Sequence, residues 1–323
     1  MRLNREDAPH WTVNPGRGSR WSITLIVRLA LACGRTAIYP LVHVVTLYFV
    51  LVSARSRAVS RAYLARALDR APTWRDVYRH HWRFACTLLD RVFLLAGRRR
   101  GIRVRPVCGD DALDLLGSRP CLLLGAHLGS FEVLRGLADT HPSLAVRPLM
   151  YREQHQHADR VLAAINPEQA ARVIPIGGID GLLAAGEAVA AGESLGMLGD
   201  RAPPGTRQHT CRLLDGEVAL PEGPLRIAHA LRLPVVLCFG LNRGWGRYDA
   251  HFEVLCHELR LPAGGKREAA VAGWLQTYAD RLAAYCRTSP CNWFNFYDFW
   301  QELDHAPVAA DGGDDLAVVG RRG

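Results

Sequence analysis

From residue 101 onward, short apolar runs alternate with stretches of helical periodicity, and this alternation limits the possible folds more than any other feature of the chain. Each run has the length of a buried strand. The predicted strands are Val104–Val107, Cys121–Gly125, Leu144–Met150, Arg172–Ile176, Leu195–Gly199, Val235–Phe239 and Phe252–Cys256. Strands separated by helices predict an α/β fold, with a mostly parallel central sheet and helices on both of its faces.

The second of these runs, Cys121–Gly125, is followed almost at once by a titratable residue. His127 lies in the turn after the strand, and Gly129 and Ser130 then begin a helical pattern. In open α/β sheets, ligands bind beyond the carboxyl ends of the strands, which is where this turn lies. The position of His127 therefore indicates a functional site.

Glu132 comes five residues after His127, in the first turn of the following helix. A neutral imidazole takes a proton from a hydroxyl group near neutral pH, and a carboxylate on its other nitrogen fixes its tautomer. If Glu132 points back towards the loop, the pair predicts general-base catalysis. Because the chain has no G-x-S-x-G nucleophile motif, the proton would come from an acceptor substrate. The alternative is a helix N-terminus at which His127 only packs and Glu132 favours the helix dipole.

Charged residues also follow the third and fifth predicted strands. Arg152 follows the third, and Asp200 and Arg201 follow the fifth. Because the carboxyl ends of parallel strands meet at one edge of a sheet, these residues are predicted to converge with His127. Arg152 would pair a phosphate or stabilise negative charge on a carbonyl oxygen. The alternatives are a salt bridge for Arg152 and a turn-capping role for Asp200.

A third candidate block follows a predicted hairpin. Residues Cys211–Leu220 predict two strands that turn at Asp215 and Gly216. The sequence Pro-Glu-Gly-Pro then precedes a helical pattern, and a proline at the first helical position leaves free amides that suit an anion. Glu222 and Gly223 are therefore candidate substrate-binding residues, and the alternative is a helix cap with no ligand.

The amino-terminal part of the chain is strongly apolar. Nineteen residues without a formal charge lie between Arg35 and Arg55, interrupted by Pro40 and His43. This length just crosses a hydrocarbon core of about 30 Å. A helix buried in a soluble domain, a hairpin and a helix in the membrane plane are the alternatives. The predicted organisation is a flexible tail at 1–20, a membrane-associated helix at 21–58, an α/β domain at 59–303 and a disordered tail at 304–323.

Composition narrows the range of partners. The net charge is +9, and it comes almost entirely from arginine because Lys266 is the only lysine. Such a surface suits anionic lipid or an acidic protein, whereas no nucleic-acid-binding motif is present. The nine cysteines form no C-x-x-C pair, which argues for reduced core thiols and against a metal site. Residues Cys291–Trp300 contain six aromatic side chains and are predicted to lie beside an apolar groove.

The segment from His127 to Glu132 resembles the catalytic block of the lysophospholipid acyltransferase-like superfamily, in which a histidine is followed after four residues by an acidic residue. The resemblance covers roughly residues 20 to 300 and is closest to the bacterial late acyltransferases of lipid A biosynthesis. Arg152 and Gly223 match further blocks. Asp200 is followed by Arg201 where relatives have glutamine, which puts the acceptor contact in doubt. The aromatic ending is more similar to acyltransferases of aryl-polyene pigment pathways.

This resemblance implies a membrane-associated acyltransferase that needs no cofactor or metal. The donor would be a thioester of acyl carrier protein or coenzyme A, and the acceptor would be a lipid, a glycolipid or a related hydroxyl or amine. His127 would act as base and Glu132 would orient it, at the cytoplasmic side of the inner membrane. A thioesterase or other hydrolase on the same site and a non-catalytic basic membrane-binding protein are the alternatives.

Overall fold

The computed structural model describes Arg28 and residues 30–134, 145–151, 165–201 and 205–300. Within these residues the chain has a mixed α/β fold built around a seven-stranded, mostly parallel sheet. The predicted tails at 1–20 and 304–323 lie outside the described residues, and so does Arg152.

The helices described between residue 35 and the sheet are α1 (Arg35–Val52), α2 (Ala54–Leu68) and α3 (Trp74–Leu95). The start of α3 is fixed by a reciprocal cap in which Asp76 N donates to Thr73 Oγ1 and Thr73 N donates to the Asp76 carboxylate. Such a cap satisfies two of the amides that a helix N-terminus leaves without a partner. Helices α1 and α3 pack against each other along much of their length.

Each of the seven predicted strands is confirmed, with ends that shift by a few residues. The strands of the main sheet are β1 (Arg103–Cys108), β2 (Leu122–Gly125), β3 (Val146–Tyr151), β4 (Ile174–Ile176), β5 (Ser194–Leu198), β8 (Val235–Gly244) and β9 (Arg247–Cys256). Their spatial order is β1-β9-β8-β2-β5-β3-β4, and among the described pairs of this sheet only β8–β9 is antiparallel. The carboxyl ends of β2, β3, β4, β5 and β8 therefore lie at one edge.

The predicted hairpin is also confirmed and forms a separate two-stranded sheet of β6 (Gln208–Leu213) and β7 (Gly216–Pro221). Its turn lies one residue earlier than predicted, at Leu214 and Asp215, because Gly216 already pairs with Leu213. Leu214 has a positive φ of 57°.

Side chains of helices cover both faces of the main sheet. The remaining described helices are α4 (Asp110–Ser118), α5 (Pro167–Ala171), α6 (Ile179–Ala190), α7 (Gly223–Ala230) and α8 (Lys266–Thr288). Because side chains alternate along a strand, Leu122 and Leu124 pack in one cluster with residues of α6, α7 and α8, whereas Leu123 packs in a second with Leu115 and Leu116 of α4. Five cysteines are buried, as predicted for core residues: Cys86, Cys121, Cys211, Cys238 and Cys286.

Helix α1 alone, among the described helices, is long and apolar enough to cross a membrane. Its 18 residues have a mean hydropathy of 1.6, and 28% of them are buried against the rest of the protein. One such helix near an N-terminus is a weak indication of a membrane span, because core helices and signal sequences have the same length and composition.

Candidate functional site

The register of two neighbouring strands brings His127 and Asp200 together. Strands β2 and β5 are parallel, and Gly125 lies opposite Leu198 at their carboxyl ends. His127 and Asp200 each follow two residues later. His127 Nδ1 lies 2.8 Å from Asp200 Oδ1, and the backbone N–H of His127 donates to Asp200 Oδ2 at 3.0 Å. The predicted convergence of residues at the strand ends is therefore observed for this pair.

Asp200 is fully buried and is held by four hydrogen-bond donors. Besides the two from His127, Trp293 Nε1 donates to Oδ2 at 3.0 Å and Asn295 Nδ2 donates to the same oxygen at 3.2 Å. Burial alone would raise the pKa of Asp200, but the interactions with His127 and the charge of Arg201 outweigh it and hold the pKa well below its usual range. The carboxylate is therefore ionised at neutral pH.

The imidazole of His127 is neutral under the same conditions. Burial lowers its pKa most, the charge of Arg201 lowers it further, and Asp200 opposes both effects. Since Nδ1 faces a carboxylate, we assign the proton to Nδ1, and Nε2 then carries the lone pair. The side chain is 29% exposed, and within the described ranges no residue hydrogen-bonds to Nε2. This arrangement is that of a general base.

The loop that carries His127 is clamped by the segment Asn292–Asn295. Phe294 N donates to the carbonyl of His127 at 2.8 Å, and Gly129 N donates to the carbonyl of Asn292, also at 2.8 Å. The same segment supplies the two side chains that hold Asp200. One short stretch of chain therefore fixes both members of the pair.

Gly129 allows the loop to pack closely on strand β8. Its φ is +77°, a conformation that side chains with a Cβ rarely adopt, and an added Cβ would lie 2.0 Å from the carbonyl oxygen of Gly240. The next residue, Ser130, donates its N–H to that same oxygen at 2.9 Å. Only glycine fits at position 129 without moving the loop.

Arg201 points into the protein instead of towards open solvent. Its Nε donates to Asn295 Oδ1 at 2.9 Å, its NH2 group donates to the carbonyl of Phe294 at 3.2 Å, and its guanidinium lies over the ring of Tyr297. Arg201 is thus held by the clamping segment and by Tyr297, and its predicted contact with a substrate stays a prediction. Its charge still acts on the site by lowering the pKa of His127.

The structure corrects the prediction that Glu132 orients His127. Glu132 Oε1 lies 2.6 Å from Arg91 Nε, and Ser130 Oγ donates to Glu132 Oε2 at 3.3 Å. The carboxylate on Nδ1 of His127 is instead that of Asp200, which comes from the neighbouring strand. Glu132 remains close to the site through Arg91, whose charge also lowers the pKa of His127.

The buried Glu222 lies in a separate cluster with two partly exposed side chains. Its carboxylate pairs with Arg226 Nε, and Oε1 lies 2.7 Å from His209 Nε2. Within the described part of the chain, the structure records no contact between this cluster and His127 or Asp200. Glu222 therefore lies apart from His127 and Asp200, and its predicted role in substrate binding stays a prediction.

Gly223 packs beneath a tyrosine at the edge of the sheet. A Cβ at this position would lie 2.2 Å from the hydroxyl of Tyr151. The two residues line a mainly apolar groove of about 230 Å³ at the carboxyl ends of β3 and β4. The other lining residues include Ile176, Gly178, Leu182 and Ile227.

The aromatic segment is mostly part of the core. Trp293, Phe294, Tyr297 and Phe299 are all buried, so most of the segment does not form an exposed apolar surface. Trp293 and Asn295 are functional candidates that sequence analysis missed, because nothing in the local pattern links them to Asp200. Within the described residues, no group of three or more His, Cys, Asp or Glu side chains is placed to hold a metal ion.

Comparison with known proteins assigns no family to this geometry, since no family model and no curated protein matches the chain. Function is therefore inferred from His127, Asp200 and the residues that surround them.

Proposed function

We propose that the protein is a membrane-associated acyltransferase. It transfers a fatty acyl group from a thioester of acyl carrier protein or coenzyme A to a hydroxyl or amine of a lipid or glycolipid. The observation that carries the proposal is the neutral His127, whose Nδ1–H is held by buried Asp200 while Nε2 is left with a lone pair. The sequence resemblance of the His127 block to acyltransferases supports the same chemistry.

The reaction begins when Nε2 of His127 takes the proton of the acceptor hydroxyl. The acceptor oxygen attacks the thioester carbonyl, the C–S bond of the resulting tetrahedral intermediate breaks, and the thiolate leaves with the proton that His127 had taken. A positioned base of this kind contributes about 10²–10⁴ in rate. The ionised Asp200 stabilises the imidazolium between these two proton transfers.

Positive charge near His127 suits the oxyanion that forms on the carbonyl. Arg91 lies close enough to lower the pKa of His127, and 42% of its side chain is exposed to solvent. Arg201 is held by Asn295 and contributes charge from within the protein. In this proposal Arg91 contacts the oxyanion, and Arg152 retains the role that the sequence resemblance implies.

Two features of the molecule outside the site support a lipid substrate and a thioester donor. Helix α1 carries a long exposed apolar surface, and the net charge of +9 favours an acidic carrier protein or the phosphates of coenzyme A. We place the protein at the cytoplasmic side of the inner membrane, where both thioester donors are found in bacteria.

The test uses the full chain purified in detergent, with a radiolabelled acyl group on acyl carrier protein or coenzyme A as donor and a total bacterial lipid extract as acceptor. We expect acylated lipid by mass spectrometry and release of one thiol for each acyl group transferred. His127→Ala should lower the transfer rate at least about 10²-fold. His257→Ala, an exposed histidine elsewhere on the surface, serves as the matched control and should keep the wild-type rate.

Two results would contradict the proposal. Thiol release at an equal rate without any lipid acceptor would identify a thioesterase, because water would then be the acceptor. Membrane binding with no thiol release from either donor would identify a non-catalytic membrane-binding protein.

A further inference from the structure

Helix α1 has one narrow buried stripe and a wide exposed apolar surface. The stripe has helical spacing and consists of Tyr39, Val42, Thr46 and Val50. The large apolar side chains exposed on the rest of the helix are Leu41, Val44, Val45, Leu47, Tyr48, Phe49, Leu51 and Val52. Contiguous exposed apolar surface of this kind marks an interaction site.

The N-terminal end of α1 is tied to the sheet domain by a buried ion pair. Arg35 Nε lies 2.5 Å from Asp90 Oδ1, and the fully buried Asp90 also accepts a hydrogen bond from the hydroxyl of Tyr248 at 2.8 Å. Just ahead of the helix, Arg98 donates to the carbonyl of Leu31. Residues on both sides of the start of α1 therefore contact the domain.

The middle of α1 packs antiparallel to α3. Tyr39 stacks on Trp245 of the β8–β9 hairpin with ring centroids 4.5 Å apart, and His43 Nδ1 lies 2.8 Å from the hydroxyl of Tyr78. Beyond its C-terminal end, α2 continues the attachment through a hydrogen bond of 2.8 Å between Ser60 and His80. Both ends of α1 thus lie on the surface of the domain.

We infer that α1 does not cross the bilayer but lies on it, and that its exposed face is a binding surface for anionic lipid. As a span, the 18 residues would move Leu31 about 27 Å away from the domain, to the far side of the membrane. That movement would break the contact with Arg98 and leave Asp90 buried without its cation, which is strongly unfavourable. The inference rests on the membrane association in the proposed function and not on the acyl-transfer chemistry.

The charge around the exposed face identifies the lipid class. Residues 53–83 contain eight arginines and two aspartates, a difference of +6. Five of these arginines are exposed, Arg55, Arg61, Arg70, Arg75 and Arg79, and so is one of the aspartates, Asp69. Apolar side chains beside a cluster of arginines are the pattern of a helix that binds in the interface of a membrane with anionic lipids.

The orientation is tested with Cys33, which is exposed and directly precedes the start of α1. The full chain is produced in a bacterial host, and inside-out and right-side-out inner-membrane vesicles are treated with a membrane-impermeant maleimide. The label that is lost in the variant Cys33→Ser is the label on Cys33. Arg100→Cys in that background reports the side of the sheet domain, because Arg100 is exposed next to β1.

A helix that lies on the membrane is supported if both positions are labelled in the same type of vesicle. The two positions are Cys33 in the wild type and the thiol introduced by Arg100→Cys. Labelling of the two positions in opposite types of vesicle would overturn the inference, because α1 would then span the bilayer. Neither result depends on acyl transfer, so a failure here is distinct from a failure of the proposed function.

The lipid-binding surface is tested by flotation of the full chain with vesicles of phosphatidylcholine, with and without phosphatidylglycerol. We expect at least about tenfold stronger binding to the anionic vesicles, weakened by salt. Val44→Glu with Phe49→Glu should abolish it, whereas Leu113→Glu, at an exposed leucine of α4, should not. Equal binding by both variants, or equal binding to both vesicle types, would place lipid contact elsewhere and overturn the inference.

Discussion

At the residue scale, the hydrogen bond between His127 and Asp200 predicts which carboxylate supports the base. Asp200→Asn keeps the size of the side chain but removes the charge that stabilises an imidazolium and fixes its tautomer. We expect the rate of acyl transfer to fall by about 10²–10⁴. Glu132→Gln should cost less, because Glu132 acts through Arg91. Both rates are measured under saturating donor.

The melting temperature of each variant serves as the folding control in this comparison. If Glu132→Gln lost as much activity as Asp200→Asn while both remained folded, the carboxylate that follows His127 in sequence would be the one that acts on it, and the assignment from the structure would be wrong.

The charge of Arg201 predicts a shift in the pH dependence of transfer. The neutral imidazole is the active form, so activity falls as pH falls through the pKa of His127. Arg201 lowers that pKa. Arg201→Gln should therefore raise it and move the acid limb of the pH–rate profile to higher pH. Arg201→Lys keeps the charge and should leave the acid limb near its wild-type position. If neither variant moved the acid limb, the effect of the Arg201 charge on the pKa of His127 would be contradicted.

Sequence analysis located His127 and predicted that Asp200 lies near it, but it assigned the orienting role to Glu132 instead of Asp200. An apolar strand followed by a turn indicates a site from local pattern alone, because the strand end and the helix start are both visible. The pairing with Asp200 depends on β2 and β5 being neighbours in the sheet. Residues 73 positions apart meet only through that strand order, which local pattern does not specify.

At the scale of elements, Gly129 predicts how sensitive the loop is to a single methyl group. Gly129→Ala would put a Cβ within 2.0 Å of the carbonyl oxygen of Gly240 and force an unfavourable φ. We expect a loss of about 2 kcal/mol or more in the free energy of unfolding, with a larger loss of activity because His127 moves. Denaturant unfolding and the transfer assay measure the two effects.

The matched control is Gly273→Ala in the middle of α8. An added Cβ there meets no atom within 4 Å, and alanine is favoured over glycine in a helix by about 0.5–1 kcal/mol. This variant should be slightly more stable and fully active. If the alanine at 129 were tolerated equally well, the loop would not be as tightly fixed as the contacts indicate.

The elements themselves were largely predictable, and the exceptions have physical reasons. Strands β8 and β9 extend well beyond the predicted apolar cores, because the polar residues near their shared turn pair with each other or with β1. The segment Asn292–Asn295 contacts the His127 loop mainly through its backbone. Backbone pairing of an irregular segment leaves no periodic signal in the sequence.

At the scale of the whole molecule, a buried histidine predicts a loss of stability in acid. His80 is fully buried, with Nδ1 bonded to Ser60 Oγ and Nε2 donating to the carbonyl of Trp293. Burial lowers its pKa to about 3, so between about pH 6.5 and pH 3 the unfolded chain binds a proton that the folded chain does not. The free energy of unfolding should fall by about 1.4 kcal/mol for each pH unit from this group.

The measurement is urea unfolding in detergent from pH 7 to pH 4, with wild type compared with His80→Asn. The variant should be less stable at pH 7, because it loses packing, but its stability should fall less steeply with acid. Parallel curves for the two proteins would contradict the role of His80. The exposed variant His257→Ala should follow the wild-type curve.

The clamp on the His127 loop has a consequence for the order of events during translation. By the time the ribosome has added Cys256, all the strands that the structure describes have been synthesised. Asp200 still lacks the hydrogen bonds from the Trp293 indole and the Asn295 amide at that point. Those groups arrive with residues 293 and 295. The nascent polypeptide is therefore expected to hold its strands before it holds a competent catalyst, and to acquire turnover only after both of these residues have left the ribosome.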